Sequence, residues 1–187
     1  MAAAMKRGAN VALTREIPGL STVIVGTAWD AGAESVLADN LVFAAILGDA
    51  QCRALSEAHF VFFNQLSAPG ESVVERDRLL GSDREQIEIE LAAVPAEVQR
   101  IVFVLYVNDG PGPRRTLGQL HSCVVRVLDG AGQELVRSED LAAGLGTETG
   151  LTLCEVYRHD RDWKFKVLGE AYPKGIAGIA LDFGVPL

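Results

Sequence analysis

Short apolar runs of strand length, each closed by turn residues, recur along this chain and leave few folds open. RIVFVLYV over 100–107 is the strongest, a continuous apolar run behind one arginine, ended by Asn108-Asp109-Gly110. LVFAAIL over 41–47 is of the same kind and closes at Gly48-Asp49. Runs this short, rich in β-branched and aromatic residues and bounded by Gly, Asn and Asp, are strands. QIEIEL over 86–91 differs: Ile87, Ile89 and Leu91 alternate with Glu88 and Glu90, as on a strand with one wet face.

The same reading extends to NVALT (10–14), STVIVGTAW (21–29) and HFVFFN (59–64). GQLHSCVVRVL (118–128) and QELVRSEDL (133–141) face each other across Asp129-Gly130-Ala131-Gly132, a hairpin loop by composition. LTLCEVYRHDRDWKFKVLGEAY (151–172) is a second hairpin, turning at His159 to Asp162. The connection over 67–85 is rich in Ser, Pro, Gly and charge and reads as a loop. A helical turn is expected near 93–99, with Pro95 near its start, and a short helix near 175–182. About ten short strands with turn chemistry between them predict an all-β fold, a β-sandwich of two antiparallel sheets with one or two short helices. No composition shift marks a linker, so residues 9–187 are expected as one domain behind a poorly ordered stretch over 1–8. Alternation predicts a core of Val23, Val25, Phe43, Val61, Phe63, Ile87, Ile89, Val102, Val104, Val125, Val127 and Phe165.

With 187 residues, 49% of them apolar, the chain can bury a substantial core. Its net charge of −8 argues against a nucleic-acid surface, which needs clustered Lys and Arg, and leaves room for a cation. No apolar run reaches membrane-span length, so direct membrane insertion is not expected. MAAAMKRGAN has no apolar stretch behind its basic residues and does not read as a secretory signal. Cys52, Cys123 and Cys154 form no C-x-x-C pair and read as reduced thiols, which points to the cytoplasm.

The acids and amides fall in a pattern. Asp30, Asp39 and Asp109 sit at predicted strand ends, as do Asn64 and Asn108, while Asp77, Asp83 and Glu85 sit in the 67–85 loop. Loops at one end of a sandwich could deliver the six to eight or so oxygens that calcium takes. Asp and Asn are also ordinary turn residues, and by residue type alone that reading comes first. Other chemistry is poorer. His121-Ser122-Cys123 lacks a second pair at zinc spacing, Gly144-Leu145-Gly146 lacks the context of a dinucleotide loop, and Cys154 with His159 has no orienting acid.

Several words in the chain are those of a known family. Asn10-Val11-Ala12-Leu13-Thr14, Pro18-Gly19-Leu20 and the segment from Val25 to Asp30 occur in its order. HFVFFNQ resembles its D-F-V-F-Y-N-N, and Asp83-Arg84-Glu85-Gln86-Ile87 its D-D-E-Q-I. Glu155 to Phe165 and the segment from Gly175 to Val185 complete the match over residues 9–187. On these residues the chain resembles the TerD family of bacterial tellurium-resistance and general stress proteins.

The resemblance implies a β-sandwich binding calcium between loops at one end. It implies a cytoplasmic, non-enzymatic role in stress response and tellurite resistance, with other proteins of that system, a membrane partner protein among them, as partners. It reverses the order of the two readings of the acids. Asp30, Asp39, Asn64, Asp77, Asp83, Glu85 and Asp109 become the expected metal ligands, converging at one end of the sandwich. The chain also departs from the family: Leu41 stands where an acid is expected, Arg76 and Arg78 flank Asp77, and Arg84 replaces an acid. Fewer carboxylates and more guanidinium groups weaken a calcium site. The expectation is therefore weak calcium binding at one site at most. The alternative is a metal-free interaction scaffold in which Arg76, Arg78 and Arg84 serve as counterions to the acids.

Overall fold

Two antiparallel sheets face each other across one large apolar core. The computed structural model describes residues 4–108 and 110–187. Its strands are β1 (Asn10–Ala12), β2 (Thr22–Asp30), β3 (Leu41–Gly48), β4 (Phe60–Val61), β5 (Val73–Glu75), β6 (Glu85–Glu90), β7 (Arg100–Val107), β8 (Ser122–Asp129), β9 (Glu134–Arg137), β10 (Gly150–His159), β11 (Asp162–Val167) and β12 (Ala171–Tyr172). Its α-helices are α1 (Leu13–Glu16), α2 (Ser35–Asp39) and α3 (Gly175–Phe183). One sheet runs β1-β11-β10-β7-β3-β4, with β12 also pairing β10, and the other runs β5-β6-β2-β8-β9.

The continuous apolar runs lie where both faces are covered. On β7, Ile101, Phe103, Leu105 and Val107 face the other sheet. Val102, Val104 and Tyr106 face the opposite way, into a second cluster with Ile179 and Ala180 of α3. Val42, Ala44 and Ile46 of β3 join that second cluster. A strand buried on both faces has no reason to alternate, which explains the sequence pattern. The helix reaches the sheet because glycines let it: a Cβ on Gly150 would stand 2.9 Å from the Cα of Gly175. Before β1, the Met5 amide donates to Arg137 O, and the Glu139 amide donates to Met5 O.

Five expectations need correction. NVALT stops being a strand at Ala12, because Thr14 leaves the sheet edge to bind the β10–β11 hairpin. Its hydroxyl donates to Asp162 Oδ1 at 3.1 Å and accepts from the Trp163 amide at 2.9 Å. HFVFFN is cut to two residues, because Phe62 and Gln65 exchange backbone hydrogen bonds in a tight turn. The Gln65 amide then folds back, its Nε2 donating to Phe60 O at 2.6 Å and to Glu57 O at 3.0 Å. Phe63, expected in the core, is carried past that turn and is 47% exposed. The 67–85 connection is not all loop, since Val73–Glu75 pairs with β6. The helical turn expected near 93–99 starts earlier, at Leu91–Ala93, and a turn closing Val98 N on Pro95 O follows.

Candidate functional site

The expected metal ligands do not all line one cavity. Asp39 ends α2, and its neighbour Asn40 is tied down twice: its Nδ2 donates to Val36 O at 2.7 Å, and its carbonyl accepts from the Asn108 amide at 2.8 Å. These bonds bring the entry to β3 against the exit of β7. There a cavity of about 250 Å³ is lined by Asp39, Asn40, Phe63, Glu85 and Asn108. Asp109, the next residue, lies outside the described residues.

Glu85 enters this cavity from the other sheet. On β6 it shares a face with the core residues Ile87 and Ile89, so its carboxyl points between the sheets. β4 is too short to pair with Phe43, and Glu85 Oε2 accepts that strand's free Phe43 amide at 3.0 Å. Glu75 of β5 lies beside it on the same inward face, behind Val73. Its Oε2 is buried with no hydrogen-bond partner. Burial raises the Glu75 carboxyl, while burial and then the Glu75 charge push Glu85 up to about 7. The Tyr106 phenol is pushed up to about 12, first by burial and then by these two carboxylates. Among the described residues neither glutamate has an ion-pair partner.

Asp83 is elsewhere. It is buried on the outward face of the five-stranded sheet, over Gly26, where a side chain on residue 26 would collide with the carboxylate. Arg126 of β8 donates through Nε to Oδ1 at 2.7 Å, and Gln86 through Nε2 to Oδ2 at 2.7 Å. Asp77 is exposed on the connection leading to it. Asp30 is exposed at the end of β2, where Oδ1 accepts the Gly32 amide at 2.8 Å in a turn. Asn64 is exposed at the tip of the Phe62–Gln65 turn.

The structure thus brings Asp39 and Glu85 together with Asn108 in one cavity, and Asp30, Asn64, Asp77 and Asp83 are not among the residues that line it. Among the described residues, no three His, Cys, Asp or Glu side chains are grouped so that they could hold a metal ion. Of the arginines expected as counterions, Arg76 pairs with Glu88 at 2.5 Å, and Arg84 lies 5.9 Å from the Trp29 ring centroid. The arginine that does neutralise a candidate ligand is Arg126. Sequence reasoning passed over it because VVRVL alternates as any half-wet strand does. Glu75 was missed as well, since the strand that aims it inward lies inside the presumed loop.

Two of the three thiols, Cys123 and Cys154, are buried. Burial pushes Cys123 up to about 12 and Cys154 well above the ordinary thiol range. His159 is exposed at the far end of β10, while Cys154 is buried within the same strand.

A family model for the TerD domain matches residues 1–183. The chain belongs to the TerD family. Among curated relatives, general stress protein 16U of Bacillus subtilis is 37% identical, the match spanning 99% of this chain and 98% of that protein. Tellurium resistance protein TerD of Serratia marcescens is 31% identical over 99% of this chain and 98% of that one. Among solved structures, a homologue of telluride resistance protein (TerD) from Streptomyces coelicolor superposes with a TM-score of 0.61 at 18% identity. That match covers 82% of this chain and 91% of the other. A protein of unknown function superposes with a TM-score of 0.65 at 19% identity, over 87% and 95% of the two chains. The TerD fold is thereby shared at low identity. Among the described residues, no helix is long and apolar enough to cross a membrane.

Proposed function

We propose that this TerD-family chain is a non-enzymatic calcium-binding module of the bacterial stress and tellurite-resistance system. It acts in the cytoplasm on protein partners of that system, a membrane partner protein included. One observation carries the metal reading: Glu75 and Glu85 direct carboxylates between the sheets, and among the described residues no basic side chain pairs with either. Carboxylates that are close together and partly buried need a proton or a positive charge. Asp39 and Glu85, with oxygens of Asn40 and Asn108, would hold the ion, and Glu75 would stand behind them. Calcium takes about six to eight oxygens, so carbonyls and water would complete the shell, and a site with so few carboxylates is weak. The ion would add charge balance between the loops and no reaction. The buried thiols agree with a role that needs no nucleophile.

A second reading, the metal-free scaffold, has its own support in Arg126, which already neutralises Asp83 at 2.7 Å. On that reading the Glu75–Glu85 pair is balanced by a shared proton. Calorimetric titration of chelator-treated protein with calcium chloride separates the two. The calcium reading expects one weak site, abolished by Glu85→Gln, and a melting temperature that rises with added calcium. Absence of both heat and thermal shift at millimolar calcium would leave the scaffold reading in its place.

A further inference from the structure

Beside the acidic cavity, between β4 and α3, runs a groove of about 390 Å³. Phe60, Phe62, Tyr106, Ile176 and Leu187 supply its apolar walls, and Asn108 lines both the groove and the cavity. Three rings connect the two. Phe60 stacks on Phe62 with centroids 4.9 Å apart, and Phe62 meets Phe63 edge-on at 5.3 Å. Phe63, 47% exposed, lines the cavity, while Leu187, 79% exposed, stands at the groove. Phe60 is buried and Phe62 half-buried, so the exposed apolar surface here is supplied by Phe63 and Leu187, and apolar surface held open at a groove suits an interacting chain.

We infer that groove and cavity form one docking surface for a polypeptide segment in which a basic residue stands next to large apolar ones. The apolar side chains would fill the groove, and the ammonium or guanidinium group would enter the cavity against Asp39 and Glu85. Charge decides the occupant. Among the described residues the cavity wall carries two carboxylates and no basic residue, in a chain of net charge −8. Such a surface steers a basic segment inward and repels an acidic one. It equally repels an anionic lipid surface, and a concave groove suits an inserted side chain better than a flat bilayer. Strand addition at β4 is obstructed, because Gln65 already donates to the Phe60 carbonyl at 2.6 Å. Recognition therefore runs through side-chain pockets. The inference shares a cavity with the calcium reading but not its ligand, and it stands if calcium does not bind.

The test is fluorescence anisotropy of the full chain with labelled synthetic peptides, in chelator. The probe is acetyl-Ser-Leu-Lys-Phe-Leu-Ser-amide. One control replaces its lysine by norleucine, and another replaces its leucines and phenylalanine by serine. The basic apolar peptide should bind at least about tenfold more tightly than either control, as expected when one anchoring contact is lost. Asp39→Asn should erase its preference over the norleucine peptide. Leu187→Ser should weaken both apolar peptides and leave the lysine preference intact. Both positions are exposed, so neither change threatens the fold. Calcium that competes with the probe supports both readings, while probe binding indifferent to calcium supports docking alone. Equal binding of all three peptides, indifference to both variants, or binding to phosphatidylserine vesicles in preference to the probe would overturn the inference.

Discussion

Glu75 and Glu85, on neighbouring strands of one sheet, direct their carboxyls into the same gap, and among the described residues no basic side chain answers either. Burial and the Glu75 charge push Glu85 up to about 7, from an ordinary value of 4.5. Between those values the folded chain holds a proton that the unfolded chain has released. Stability from this group is therefore full below about 4.5 and falls as pH rises through about 7. Melting temperature should decline across that window, and Glu85→Gln, which keeps an acceptor for the Phe43 amide, should flatten the decline. A variant whose profile overlays the parent's would show that Glu85 titrates as an ordinary carboxyl.

Asp83 and Arg126 form the opposite case, a charge already answered. Their side chains are 1% and 13% exposed. Arg126→Met leaves a buried carboxylate unpaired and should cost about 3–5 kcal/mol by urea unfolding. Added calcium should not recover that loss, because Gly26 and Gln86 close the seat. Recovery by calcium would make this seat a second cation site.

Phe63 and Phe103 should respond to truncation in opposite ways. Phe103 is fully buried and stacks on Phe43 at 5.8 Å, so Phe103→Ala should cost about 3–5 kcal/mol. Phe63→Ala at an exposed position should change stability by less than about 0.5 kcal/mol. Chemical denaturation of the two variants checks both.

Gly150→Ala drives a methyl group against the Gly175 backbone at 2.9 Å and 3.0 Å, where nothing flexible can yield. A loss of about 1–3 kcal/mol is expected. Hydrogen exchange should locate it: amides of α3 lose protection while those of β2 and β8 keep theirs.

The strands were legible because their residues face the same demands everywhere along a sheet. β7 could be read to the residue, since an apolar run over 100–107 has no other use. β4 could not, because Phe62 and Phe63 are good strand residues, and what stops them is the side chain of Gln65 closing a turn. Alternation placed Ile87 and Ile89 correctly and would have turned Glu85 inward with them; the acid pattern made that carboxyl a candidate, and the family resemblance put the metal reading ahead of the turn reading. Arg126 and Glu75 were illegible for one shared reason. Each takes its meaning from a partner on a different strand, and period-two patterning says which face a residue takes without saying whom it meets.

The helix that covers the outward face of β3 and β7 follows both strands far along the chain. During synthesis β3 and β7 leave the ribosome long before α3 does. For that interval Val42, Ile46, Val102 and Val104 form an uncovered apolar sheet face on a nascent chain. Such a face is a site for chaperone capture or self-association. The order of elements thus makes the late arrival of α3 the step that turns an aggregation-prone intermediate into a finished surface, and premature termination anywhere before Gly175 would leave it open.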